Sequence, residues 1–381
     1  MPDLAANMNQ SIGGFQIQGV MMRYNLFAPR LYNWCMSLGF EAGKIVPSRA
    51  FCSDESQGYP IIMLAKHFGA FPFNHGRVGG IVATDRHGPH AEHGQDLVIV
   101  QASHVGYDPA AKCFGAYRRL QTTNQECGPN CGKIHHVIGW YQDEYRFAGK
   151  NILLHKNAGR ACIIVDNQLL REERDEGLFL RLDKLIESDA AGQRIPCRIL
   201  STAKVFPASS DLVNRLGEAA FNASKPQPID FNLTADLFSF RRNIQQLEEG
   251  VHNLEHNLIH YMPQIVTAHS PILTAAQINT QIEFDRTFRT IVKERGYCGK
   301  KVLFISGLNI DISPQEGQFF PLTKFVPWAA YVKDPDGTYS ILEQPQLVQV
   351  LERQSTSNPD QIDLEAAIQT MTEAEEVRIE L

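Results

Sequence analysis

The segment LVIVQASHVGYD, Leu97 to Asp108, constrains this chain more than any other. It is a near-continuous apolar run that ends in small and polar residues, which predicts a strand buried on both faces that delivers His104 at its carboxyl edge. A strand of that kind needs cover on two sides, the arrangement of α/β proteins, where functional residues collect at the carboxyl ends of parallel strands. Upstream, RAFCSDES predicts a short strand stopping at Cys52, and YPIIMLAKHF a helix with Pro60 in its first turn.

The remaining pattern fills in a soluble globule. With 381 residues the chain can bury a core without disulfide or metal staples. Its 36 basic against 42 acidic side chains give a net charge of -6, with no Lys/Arg block, which argues against binding a nucleic-acid backbone. Small molecules or protein are the expected partners. No apolar run nears the roughly 20 residues of a membrane helix. The opening MPDLAANMNQSIGGFQ has neither secretory nor transit character, so the expectation is a cytoplasmic protein with reduced cysteines. Past Trp140, ACIIVDNQLL and KVLFISGLNIDI predict strands, and WAAYVKDPDGTYSILE a hairpin. LLREERDEGLFLRLDKLIESD, DLFSFRRNIQQLEEGVHNLEHNLIHYM and AAQINTQIEFDRTFRTIVKERG predict helices, and an acidic tail follows from Ser355.

Chemistry concentrates between Phe51 and His136, which holds eight of the thirteen histidines. Cys52, His104 and Cys127 make a three-ligand set for zinc that leaves a fourth position for water, and Asp54 lies two residues past Cys52, on the same side of an extended strand. Competing uses of the same atoms exist. Cys127 and Cys131 with His135 and His136 would make a closed structural site, and Cys127 with Cys131 a redox-sensitive disulfide. His87, His90 and His93 form either a proton relay or an exposed loop. His252, His256 and His260 follow at i, i+4 spacing with no Glu in the HExxH base position, so a polar or packing helix face is expected there. P-loop and G-x-S-x-G signatures are absent.

CSDES, GRVGG-x-x-ATD, ASHVG and the later Cys-Gly, spanning Arg49 to Gly132, resemble the limiting-carbon-dioxide-inducible B/C family, the theta-class carbonic anhydrases, which are similar to the beta class. The resemblance implies a beta-carbonic-anhydrase-like α/β sheet flanked by helices, with an additional C-terminal α+β region. It implies zinc on Cys52, His104 and Cys127, with Asp54 as the acid of a dyad. The ordinary beta-class motifs His-x-x-Cys and Cys-x-Asp-x-Arg fail here, because Tyr107 and Ser56 occupy those places. The dyad arginine is then Arg77 in the GRVGG turn or Arg86 in ATDRHG. The implied activity is reversible hydration of carbon dioxide to bicarbonate, zinc lowering the pKa of its bound water to give the attacking hydroxide. Phe51, Phe71, Phe73 and Val105 are available as an apolar wall. The alternatives are a closed, catalytically silent inorganic-carbon binding or assembly protein, and a zinc hydrolase of another small substrate. A homodimer is implied, with residues 1–145 as the zinc-binding core, 146–354 completing the fold or the dimer, and 355–381 as the tail.

Overall fold

The computed structural model describes residues 13–82, 96–118, 127–171, 173–244, 251–318 and 320–375. Arg86, His87, His90 and His93 lie outside them. The chain forms two compact units, and neither is continuous in sequence: one comprises residues 14–132 and 276–381, the other 1–13 and 133–275. The units therefore do not follow the sequential division at 145 and 354, because the chain after 275 returns to the unit it began.

The first of these units is built on an eight-stranded sheet. Its strands are β1 (Met22–Arg23), β2 (Ile45–Ala50), β3 (Phe73–Asn74), β4 (Asp96–Asp108), β5 (Cys113–Phe114), β6 (Val302–Ile312), β7 (Leu322–Lys333) and β8 (Tyr339–Glu343). They lie in the order β1-β7-β6-β4-β2-β3, with β8 paired to β7 and β5 to β4. The centre is parallel, β3 with β2, β2 with β4 and β4 with β6, and the pairs involving β7 and β5 are antiparallel. This is a mixed α/β sheet, and β4 is its buried middle as the apolar run predicts.

Helices cover both faces, since successive side chains along a strand point to opposite sides. On one face Val98, Val100, Leu303 and Ile305 pack with Phe27 and Leu31 of helix α1 (Tyr24–Ser37), Leu64 of α2 (Gly58–Phe68), and Leu347 and Leu351 of the helix Gln344–Arg353. On the other, Leu97, Ile99, Val302 and Phe304 meet Phe284 and Ile291 of the long helix Pro271–Lys293. Each such fully buried side chain contributes about 1.5–3 kcal/mol of transfer free energy. His104 is even-numbered in β4 and shares a face with Val98 and Val100.

The second unit holds a five-stranded antiparallel sheet, whose central strands are Ile152–Asn157, Arg160–Asp166 and Ala203–Pro207. Two helix expectations hold only in part here. LLREERDEGLFLRLDKLIESD forms only a single turn at Asn167–Leu170, a strand at Gly177–Leu180 and a short helix at Leu182–Leu185. DLFSFRR contributes the strand Phe238–Arg241, paired antiparallel with Gly177–Leu180, and a helix spans Val251–Leu258. Alternation in FSFR and a glycine at φ 130°, Gly177, outweigh the helical charge spacing. Among the described residues no helix is long and apolar enough to cross a membrane.

Candidate metal centre

Cys52, His104 and Cys131 are buried, and their ligand atoms all lie within 4.8 Å of one another. No other group of three or more His, Cys, Asp or Glu side chains converges this way among the described residues. The first side chain of the cluster comes from the backbone leaving β2. Cys52 follows the strand end by two residues, and its Sγ accepts a hydrogen bond from the Gly79 N–H at 3.2 Å. That donor belongs to the GRVGG turn, which lies directly on the Cys52 segment. A Cβ on Gly76 would stand 1.9 Å from the Phe51 carbonyl oxygen, and one on Gly80, at φ 75°, 2.8 Å from the Ala102 oxygen. The glycines thus allow two backbones to touch. Asn279 fastens the turn, donating to the Gly79 oxygen at 3.1 Å and to Ser103 Oγ at 2.9 Å.

His104 enters from β4, and its orientation is set by a residue that sequence reading missed. Its Nδ1 lies 2.8 Å from Oδ2 of Asp311, on the neighbouring parallel strand β6. A carboxylate can only accept, so Nδ1 carries the hydrogen, and in the neutral imidazole Nε2 is then the lone-pair nitrogen. That Nε2 is buried without a hydrogen-bond partner.

The third side chain of the cluster differs from the expectation: Cys131 joins Cys52 and His104, and Cys127 does not. Cys127 lies opposite Arg118 in the small ribbon of Ala116–Arg118 with Cys127–Pro129, is exposed, and donates to Asp108 Oδ2 at 3.3 Å. The ribbon then leads inward. Gly106 N–H donates to the Asn130 oxygen and Asn130 N–H to the Gly115 oxygen, each at 3.0 Å, which leaves Cys131 beside Cys52. Their sulfurs are 3.9 Å apart. Two thiolates about 2.3 Å from a tetrahedral zinc stand ~3.8 Å apart, whereas a disulfide needs about 2.05 Å. Both thiols are free. Paired sulfurs at that distance and a buried, partnerless imidazole nitrogen fit a zinc ion.

Charge at the cluster is shared. A hydrogen bond from Cys131 overrides burial and brings the Cys52 thiol well below its usual range, with His104 and the Gly79 N–H acting in the same direction. Cys131 is pushed up, first by Cys52 and then by burial. Burial opposes charge on His104, yet Cys131 and Asp311 hold its pKa well above the usual imidazole value. The cluster thus favours thiolate chemistry over inert thiols.

Asp54 stands next to this group and outside it. It caps the single turn Glu55–Gln57, its Oδ1 accepting from Ser56 N–H at 3.1 Å and from Asn130 Nδ2 at 3.4 Å. Arg77 is exposed in the glycine turn and its guanidinium makes no ion pair among the described residues. Phe51 and Val105 are fully buried, whereas Phe71 and Phe73 are 72% and 43% exposed and do not serve as an enclosing wall. Cys127, Cys131, His135 and His136 do not converge, and His256 and His260 are exposed.

No family model and no curated protein matches the sequence. Solved structures do. PtLCIB4, a homolog of the limiting CO2-inducible protein LCIB, aligns over 88% of this chain and 99% of its own, with 10% identity and a TM-score of 0.47. A mutant of that protein aligns over 87% and 96%, with 10% identity and a TM-score of 0.49. The chain is also similar in structure to the limiting CO2-inducible protein LCIB, over 86% and 96%, with 11% identity and a TM-score of 0.46.

Proposed function

We propose that the protein is a carbonic anhydrase, hydrating carbon dioxide reversibly at a zinc ion held by Cys52, His104 and Cys131. The observation that carries this reading is a buried three-ligand set with a carboxylate, Asp54, beside it and outside it. A closed site would need Asp54 as the fourth ligand. Bound there, zinc supplies the Lewis acidity that activates water at neutral pH. The protein's own groups do the rest. Asp54, fixed by Ser56 N–H and Asn130 Nδ2, accepts the hydrogen bond of the reacting hydroxyl and sets its direction. Asp311 keeps Nε2 of His104 in its lone-pair form. The same reading includes a homodimer, which sedimentation would show as twice the 42.8 kDa chain mass.

The test is metal analysis with stopped-flow carbon dioxide hydration on the wild type and Cys52→Ser. We expect one zinc per chain and hydration activity in the wild type, and loss of both in the variant. Stoichiometric zinc that survives Cys52→Ser, or no hydration at any pH in the wild type, defeats the proposal.

A further inference from the structure

Asp311 is fully buried and collects four donors. Oδ2 accepts from His104 Nδ1 at 2.8 Å, Ser56 Oγ at 2.9 Å and Gln57 Nε2 at 2.9 Å, and Oδ1 accepts from Thr323 Oγ1 at 2.9 Å. These donors come from three separate places in the chain: the turn behind Cys52, β4, and β7. Gln57 is itself held by Asn309 Nδ2 at 2.7 Å, and Asn309 by the buried Tyr24 hydroxyl at 2.7 Å. Ser56 and Asp54 sit on the same short turn, so one carboxylate fixes both a metal ligand and the turn bearing the neighbouring acid.

A carboxylate at this depth is costly unless fully hydrogen-bonded. An amide of the same shape fills the space at less cost. What the amide does not do is demand a proton from Nδ1. Asparagine can turn its NH2 toward the ring, which then carries its hydrogen on Nε2, aimed at the two sulfurs and blocking the lone pair there.

From this we infer that Asp311 is the positioning residue of the centre: by accepting from Nδ1 it selects the His104 tautomer able to bind a metal. The inference rests on the zinc reading above and goes further, since it makes metal affinity depend on a residue 207 positions from His104 in sequence.

Chelator competition measures zinc affinity in the full-length wild type, Cys52→Ser, Asp311→Asn and Thr323→Val, with the cobalt(II) absorption spectrum and the melting temperature of each metal-free protein. Asp311→Asn is expected to remain folded and to bind zinc about 10–100-fold more weakly, with altered cobalt bands. Thr323→Val, which removes one donor to Oδ1, is expected to weaken zinc by less than about tenfold. Wild-type affinity and an unchanged cobalt spectrum in Asp311→Asn overturn the inference. If Asp311→Asn does not fold, Thr323→Val decides: severalfold weaker zinc supports the inference and unchanged affinity overturns it. A wild type that binds no zinc defeats the zinc reading itself. Zinc lost in Cys52→Ser and unchanged in Asp311→Asn defeats only the role of Asp311.

Discussion

Cys127 and Cys131 are four positions apart, and the difference decides which thiol is chemically useful. Cys127 faces outward on the ribbon beside Asp108, while Cys131 is buried against Cys52. Cys131→Ser should therefore empty the protein of zinc and Cys127→Ser should leave its metal content at the wild-type level, both read by elemental analysis. A second residue-scale prediction concerns His75, which is 3% exposed with Nε2 2.6 Å from Ser48 Oγ. Burial, aided by Arg49, brings its pKa down to about 3. The unfolded chain binds a proton near pH 6.5 that the folded chain refuses, so this contribution to stability is present at pH 7 and is lost as pH falls from about 6.5 toward 3. Urea denaturation at pH 7 and pH 5 should show the loss, and His75→Gln should reduce it. Cys52 and His104 were legible because each follows a recognisable apolar run. Cys131 was not, since local composition does not say where a ribbon turns inward.

At the scale of elements, the glycine turn is a spacer between two backbones, whatever role its arginine has. Gly76→Ala would place a methyl carbon 1.9 Å from a main-chain oxygen, and Gly80→Ala would combine a 2.8 Å contact with a positive φ. Neither obstacle is a flexible side chain. Each substitution should cost on the order of 3 kcal/mol in chemical denaturation, and should lower zinc occupancy, because the turn donates to Cys52. Strands with long apolar runs, such as β4 and β6, were legible from sequence, as were the helix α2 and the hairpin of β7 and β8. The strands Gly177–Leu180 and Phe238–Arg241 were hidden among charges at helical spacing. Their partners lie far apart in sequence, and a strand is stabilised by its partner more than by its own residues.

Across the whole molecule, the sheet that carries the centre is assembled from both ends of the chain. β4, with His104, lies between β2 from the first segment and β6 from the last. A fragment ending at Ala275 would lack β6, β7 and β8 along with Asp311, and should show neither native near-UV dichroism nor stoichiometric zinc. No spacing rule links His104 to a residue 207 positions away, which is why this half of the centre was illegible. The same topology gives the centre a schedule during synthesis. At about 5–20 residues per second, the three side chains of the cluster are made some 10–40 s before Asp311 emerges. Through that interval the two thiols lie beside an unfinished sheet, and the geometry that sets their sulfurs 3.9 Å apart is complete only when the last strands arrive.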